Sequence, residues 1–512
     1  MAVKLPGLTA LACALLLSST GARAQPPADA QQQRLDELKT MKKEMARMMR
    51  AYDARISRLE GEIEEQKAVA AKLAAAKPAP PPRDAISIAT NDAEAQPVPP
   101  PAKARDENLP EALRGWGSYD ADDGFVLVRG KSGEIDARLI AYVRYLNQTG
   151  LDTQYTDSFG RTFPLHLRQD IQWNKVNLSF KGWLFDQNFT YRAWVWTQQP
   201  AMGEGAQVVV GGQLGYRFND YLSIYGGIAP LPSTRSTNWT YPFWLKMDNR
   251  TIADEFFRAS YSQGFWADGK LADDVDYRVM IANNLSALGV SASQLDAEIN
   301  TVSGAIWWMP TTGEFGPAIG FGDFEGHEKL ATLLGVHYTR SREDKQSQPS
   351  SDDIENSQIR LSDGTLLFSP NAFNTDGQVN KATYQMADLD LGLKYRGFSL
   401  EGEYYFRWVN DFDVTGFVPV SSLFDHGFQL QASAMILPRQ LQAYVAGSQI
   451  FGQYGTPWDL SAGLNWYPFK RREVHINAQA IYLSHSPVGG LSYPYIVGGN
   501  GVLFNTDAIV TF

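Results

Sequence analysis

From about residue 123 to the end, apolar and polar positions alternate with a period of two. The clearest stretch is KVNLSFKGWLFDQNFTYRAWVW, residues 175 to 196. Val176, Leu178, Phe180 and Gly182 share one face there. After a turn at Asp186, Gln187 and Asn188, Phe189, Tyr191, Ala193 and Val195 share one face of the next strand. That is the signature of an antiparallel hairpin with one apolar side. A second hairpin, LGLKYRGFSLEGEYYF (391 to 406), turns at Arg396-Gly397, and a third runs from Leu460 to Leu483, turning between Pro468 and Arg472. The last nine residues, FNTDAIVTF, put Phe504, Thr506, Ala508, Val510 and Phe512 on one face, with Asn505, Asp507, Ile509 and Thr511 on the other. No stretch approaches the ~18 uninterrupted apolar residues of a membrane-crossing helix. Strands greasy on one side and polar on the other predict a closed barrel in a membrane, where no strand edge can stay unpaired.

Counting back from Phe512 gives strands near 504–512, 473–484, 458–468, 440–449, 427–437, 398–408, 384–395, 331–340, 299–309, 274–283, 257–266, 221–229, 207–218, 189–197, 173–184 and 134–147. The prediction is an all-β transmembrane barrel of about sixteen antiparallel strands. Residues 123 to 130 (DGFVLVRG) could add another strand, which leaves eighteen open. An even count places both ends of the barrel on the periplasmic side, with short turns there and long loops outside (341 to 383, 409 to 426, 485 to 503). Residues 310 to 330 break that rule as a long supposed periplasmic turn. A terminal aromatic such as Phe512 resembles the signal read by the barrel-assembly machinery.

The N-terminal part has other periods. Residues 1 to 24 read as a secretory signal peptide, with Lys4, the apolar run Leu8 to Leu17 and the small-x-small site Ala22-Arg23-Ala24. The segment 30 to 76 predicts a coiled-coil stalk. Its a and d positions alternate by three and four from Leu35, Leu38, Lys42, Met45, Met49, Tyr52 and Ile56 to Leu59, Ile63, Gln66, Ala70 and Leu73. A Pro/Ala-rich linker follows over 77 to 122, and the barrel occupies 123 to 512.

Composition narrows the chemistry. Cys13, the only cysteine, lies in the signal segment, so the mature chain offers no disulfide, thiolate metal site or cysteine nucleophile. The chain has 13 Trp, 23 Tyr and 26 Phe, yet its mean hydropathy is only -0.29, as alternating barrel strands produce. The formal charge of -10 excludes a general nucleic-acid binder, and the acidic excess lies beyond residue 107. No G-x-S-x-G, P-loop or H-E-x-x-H motif occurs, His327 and His337 are spaced for no compact metal motif, and Asp120 to Gly124 lacks the closing glutamate of a calcium loop. No enzyme, metal or cofactor is expected.

If the more apolar face of each strand points to lipid, the inward basic residues are Arg138, Arg144, Lys175, Lys181, Arg192, Arg217, Arg258 and Arg278, with Asp136 and Asp276 as inward acids. Such a ladder along a wet wall would favour anions. Later strands turn Glu401, Glu403 and Arg407 inward beside the neutral Gln429, Gln431, Asn465, His475, Asn477 and Gln479. The third outer loop, 230 to 256, is the constriction candidate. It sets Arg235, Lys246 and Arg250 against Asp248, Asp254 and Glu255, a sum of zero. Trp194, Trp196, Tyr225 and Tyr405 could stack on sugar rings.

SAGLNWYPFKRREVHINAQAIYLSH (461 to 485) resembles the C-terminal hairpin of the phosphate-selective porin O and P family. So do DNRTIADEFFR (248 to 258, with an inserted Asn249), YRGFSLEGEYYF (395 to 406) and HGFQLQASAMILPRQLQAYV (426 to 445). The resemblance implies a homotrimeric, sixteen-stranded outer-membrane channel with an N-terminal coiled-coil addition. The dedicated members carry a strongly basic constriction, whereas this loop is balanced. Three functions stay open: a porin for small hydrophilic solutes and ions with or without an anion or phosphate preference, a sugar porin, and a tether from outer-membrane lipid to peptidoglycan through the stalk.

Overall fold

The computed structural model describes residues 118 to 512 except 121–123, 199–206, 239–240, 287–298, 347–357 and 490–493, together with Lys39 and Lys43. The expected signal peptide and stalk and most of the expected linker lie outside the described residues. Sixteen antiparallel strands form a closed ring. They are β1 (Gly133–Leu151), β2 (Gln169–Leu184), β3 (Asp186–Gln198), β4 (Gln207–Asn219), β5 (Leu222–Pro230), β6 (Tyr261–Ala272), β7 (Val275–Ala282) and β8 (Thr301–Trp308). The second half is β9 (Ala331–Asp344), β10 (Gln378–Tyr395), β11 (Phe398–Thr415), β12 (Leu423–Leu437), β13 (Leu441–Phe451), β14 (Trp458–Trp466), β15 (Val474–Ser484) and β16 (Gly501–Thr511). Each strand pairs with the next, and β16 closes on β1, with Asp507 opposite Arg144 and Thr511 opposite Ile140. Phe512 and Leu139 exchange one further pair of backbone hydrogen bonds at 2.5 and 2.9 Å.

Residues 123 to 130 do not add a barrel strand. Residues 124–129 form a small hairpin with 118–120 and pair with the start of β1, where β16 has already ended. The rings of Tyr119, Phe125 and Phe512 pack there in sequence, tilted and then edge to face. The free edge left at the base of the seam is thereby covered, as exposed strand edges require.

The period of two separates the faces as expected. On β16, Phe504, Thr506, Ala508, Val510 and Phe512 are exposed on the outer wall, while Asn505, Asp507, Ile509 and Thr511 are buried inside. The outer wall is apolar at mid-height, with Val336, Leu389, Leu430, Val445, Leu460 and Leu464 exposed. Near the loop end, Tyr404, Phe406, Trp408, Phe424, Phe428 and Phe451 form a connected belt of rings with His426 across β11, β12 and β13. Tyr395, Phe398, Trp466 and Phe512 are exposed near the other end, where both ends of the ring of strands lie. An apolar band between two aromatic rims is the lipid-facing pattern of a membrane barrel.

Two segments depart from the sequence expectation. Residues 252 to 257 form a one-and-a-half-turn helix, α1 (Ile252–Phe257), capped by the Thr251 hydroxyl, so the strand expected at 257–266 begins only at Tyr261. Residues 309 to 330 do not hang below the barrel. They fold up into it, and Phe315 wedges where Gly392 leaves room: a Cβ there would stand 2.4 Å from the ring.

If the outer wall faces lipid, Val445→Arg on the exposed face of β13 should lower stability by about 2–4 kcal/mol. Urea unfolding of protein reconstituted in vesicles would read it. A cost near zero would show that this face is wet.

Candidate functional site

The inward faces and the chain folded between them define the site. Loop L3, residues 231 to 260, crosses the lumen. Its charges are fixed to the wall in opposite senses on opposite sides. On the β1–β2 side, Asp248 takes Lys175 Nζ at 2.9 Å, lies 3.8 Å from Arg144 and accepts the Tyr142 hydroxyl. Arg144 is held by Asp507 of β16 at 2.5 Å. On the β11 side, Arg235 gives Nη2 to Glu401 at 2.6 Å and to the Gly320 carbonyl at 2.9 Å, and Nε to the Ile319 carbonyl at 2.9 Å. On the β14 side, Lys246 Nζ meets Asp459 at 3.4 Å and the Tyr495 hydroxyl at 2.7 Å. Burial lowers the Lys246 ammonium, which Asp459 partly restores.

Within the loop, Glu255 accepts from Arg250 at 3.1 Å and from Arg258 at 2.8 Å. Burial alone would raise this carboxyl, but Arg258 and Arg250 bring it down to about 2. Arg258 therefore lies on the loop just past α1. It was expected on the wall because the strand was expected to start earlier.

α1 is seated by its N-terminal amides and its rings. Ala253 N donates to Ser448 at 3.0 Å and Thr251 donates its hydroxyl to Gln429 at 2.9 Å. Phe257 stacks on Tyr405 at 5.1 Å, and the Arg407 guanidinium lies 3.9 Å over Phe256. L3 also meets the infolded 309–330 segment, where Phe321 N donates to the Phe243 carbonyl at 2.8 Å. That segment is clasped by His327, whose Nδ1 lies 2.5 Å from Asp323 and Nε2 3.1 Å from Glu314. Arg472 Nη2 reaches its Glu325 at 2.6 Å.

The other candidates fall as follows. Arg138, Lys181 and Arg192 share the inward face of β1, β2 and β3 near Asp136, with Lys181 opposite both Asp136 and Arg192. Arg278 points inward and is held by Asp268 at 2.9 Å and by Asn238 of L3 at 2.6 Å. Arg217 lies at the rim, where it pairs with Asp220 and is largely exposed. Asp276 is on the inner face of β7, opposite Trp307. Trp194, Trp196 and Tyr405 are buried on the inner face, as are Glu401, Glu403, Arg407, Gln429, Gln431, Asn465, His475, Asn477 and Gln479, and Tyr225 is half-buried there.

The space left over is uneven. Against β10 to β15, L3 and the outer loops pack an apolar plug that includes Phe256, Phe257, Leu361, Leu367, Phe373 and Tyr495. A vestibule of about 470 Å³ opens between β6–β8 and the 309–330 segment, lined by Asp268, Lys270, Asp276, Arg278 and Trp307. Asn238 lines it, and beside Thr237 lies a separate small cavity of about 20 Å³, called the throat below for its place between L3 and the wall. Trp196, Tyr241, Trp244, Arg250, Arg258 and Tyr261 enclose the throat. Lys175 Nζ stands 4.6 Å over the Trp196 ring and Arg250 stands 4.0 Å over Trp244, both cation–π contacts. Sequence reasoning missed Tyr241, Trp244 and Tyr261, because nothing in period-two patterning says where a loop will fold.

No family model and no curated protein matches the chain. Among solved structures it is similar to OmpT of Vibrio cholerae, at 8% identity over 75% of this chain and 99% of that one, with a TM-score of 0.45. It is also similar to an anion-selective porin from Comamonas acidovorans, at 10% identity over 74% of this chain and 100% of that one, TM-score 0.45. The outer-membrane channel DcaP of Acinetobacter baumannii gives 8% identity over 75% and 99%, TM-score 0.41.

Two outcomes test the site. Glu401→Gln strips the counter-charge from a fully buried guanidinium, and the unfolding free energy in vesicles should fall by about 3–5 kcal/mol. The second concerns His327. Its bonds to Asp323 and Glu314 raise it from 6.5 to about 9. Protonation in the folded state then stabilises fully below pH 6.5, and the stabilisation is lost as pH rises through about 9. The thermal midpoint should fall across that window, and His327→Gln should flatten the slope.

Proposed function

We propose that the chain is a bacterial outer-membrane porin through which small hydrophilic solutes and ions diffuse passively. The observation that carries this reading is a closed barrel with a lipid-suited outer face and a polar inner face, with a charged loop strung across its lumen. A catalytic protein would need a nucleophile and base presented to a substrate. Here the charges that join L3 to the wall are used in pairs to hold chain inside a tube. Selectivity then comes from width and wall charge at the throat.

The throat is narrow and lined by two cations, Arg250 and Arg258, with Lys175 standing over its Trp196 wall, and Glu255 and Asp248 answer them. Below it Arg138, Lys181 and Arg192 continue one basic wall. This favours a mild anion preference with small conductance. Phosphate specificity of the kind the family resemblance implies is less well supported, because each cation of L3 is answered by a carboxylate. The ring of Trp196, Tyr241, Trp244 and Tyr261 favours a second reading, a sugar porin whose aromatic faces stack on pyranose rings.

The same reading places the loop end outside the cell and Phe512 in the periplasm as the assembly signal, with the coiled coil as a periplasmic stalk able to reach peptidoglycan. A homotrimer is the expected assembly.

Single-channel current across a KCl gradient tests the proposal. A small conductance with a reversal potential on the chloride side is expected, and phosphate should block only weakly. A folded protein that inserts into bilayers and never conducts would end the porin reading. Block by sugars instead of anions would favour the aromatic alternative.

A further inference from the structure

The seat of α1 contains a group of acids that a static strut does not need. Asp390 on β10 stands directly opposite Glu403 on β11, and Asp388 is two residues along on the same inward face. Asp254 of α1 lies within charge–charge range of Asp388 and Glu403, and all four are at most 4% exposed. Among the described residues no side chain donates a hydrogen bond to either oxygen of Asp388 or to Oδ1 of Asp390, and the only donor beside Asp388 is the neighbouring Leu389 amide, in a contact outside normal hydrogen-bond geometry. On β9, His337 Nε2 lies 3.0 Å from Asp390 Oδ2 and 3.7 Å from Asp388 Oδ2. Its Nδ1 is 3.1 Å from the Pro232 carbonyl of L3. A carbonyl only accepts, so Nδ1 carries a hydrogen. The contact with Asp390 then needs a second hydrogen, on Nε2 or on the carboxyl.

The other charged groups packed here are mostly committed elsewhere. Arg407 is held by Asp425 at 2.6 Å, Arg258 is bound to Glu255, and the Arg235 guanidinium is on Glu401. Arg235 offers Glu403 only its backbone amide, at 3.1 Å. Gln429 and the Tyr405 hydroxyl complete the Glu403 shell. Asp254 accepts the Thr234 hydroxyl at 3.1 Å and has Arg250 at 3.9 Å. Four carboxyl groups thus share one imidazole and one long guanidinium contact. Carboxylates crowded together out of water cannot all ionise. No group of three acidic or histidine side chains among the described residues stands at metal-ligand spacing. A proton needs no such convergence.

We propose that Asp388, Asp390, Glu403 and Asp254 form a proton-binding site that seats the constriction loop, and that loss of the proton drives α1 off the wall. Three of the four acids stand on hydrogen-bonded strands and only Asp254 stands on the loop. Repulsion among them is therefore relieved by moving α1. Channel activity responds to pH through this seat, and that consequence rests on the porin reading.

Two readouts test it separately. In infrared spectra at neutral pH, the wild type should show the C=O stretch of a buried, protonated carboxylic acid, and Asp388→Asn should remove it. In planar bilayers, the wild-type current should shift as pH is raised from mildly acidic to alkaline. Asp388→Asn, neutral at every pH, should lose that response and keep the acidic-pH current. Glu403→Gln serves as a second variant should the first fail to fold. The proposal is overturned if neither variant removes an acid band, or if both keep the wild-type pH response. It is also overturned if the current follows calcium at fixed pH and a chelator abolishes the effect, which would make the occupant a metal ion. A wild type that carries no current would sink the channel reading alone, and the infrared bands would still decide the proton site.

Discussion

The seam between β1 and β16 is the constraint on which the rest depends. A sheet open at one edge could not sit in hydrocarbon, because each unpaired amide and carbonyl there costs several kcal/mol. Closure by ten register pairs from Gly501–Leu151 to Thr511–Ile140 removes both edges at once. It also converts alternation along each strand into two surfaces, one for lipid and one for an enclosed lumen. Arg144 and Asp507 are neighbours only because the first and last strands meet, and their 2.5 Å contact on the inner face is an ion pair made by closure. That pair in turn stands beside Asp248, so the seam positions L3.

An enclosed lumen imposes a second condition, that any chain folded into it bring partners for its own polar groups. L3 meets it by matching the wall on each side. It presents an acid, Asp248, to the basic wall of β1 and β2, and bases, Arg235 and Lys246, to acids on β11 and β14. The small net charge of the loop, +1 from four bases and three acids over residues 231 to 260, is thus the sum of a polarised arrangement. The 309–330 segment uses a different device, giving its backbone carbonyls to buried cations. Gly320 accepts from Arg235 at 2.9 Å and from Lys394 at 2.7 Å, and the Phe315 carbonyl also accepts from Lys394 at 2.7 Å.

How much of this was legible in the sequence follows from which forces act locally. Period-two alternation fixes strands and faces, because burial is decided residue by residue. Fifteen of the sixteen expected spans therefore overlie their strands closely, and Glu401, Glu403 and Arg407 were assigned to the correct face. The exception is instructive. The strand expected at 257–266 begins only at Tyr261, because Phe257 belongs to the segment before it, residues 252 to 257. The Thr251 cap and the seat on Tyr405 make it a helix. The infolding of 309–330 left no trace in periodicity, since it is decided by cations on distant strands and by the space at Gly392. Ion-pair partners were likewise illegible. A list of inward basic residues gives a ladder, but Lys175 with Asp248 and Arg278 with Asp268 and Asn238 are pairings that only the fold brings about.

This bears on how selectivity should be read from such a chain. The overall charge of -10 would suggest a cation path. Yet many acids of the second half are consumed in holding the plug: Glu401 binds Arg235, Asp459 binds Lys246, and Asp425 binds Arg407. A carboxylate satisfied by a buried guanidinium projects little field into a neighbouring water path, and beyond about 8–10 Å salt screens what remains. The throat lies on the other side of L3, between Trp196, Tyr261 and the loop, where the nearest cations are Lys175, Arg250 and Arg258. On the proposed porin reading, an ion there would meet the sign of its immediate wall, and for this geometry the acidic balance of the whole barrel says little about which ion would pass.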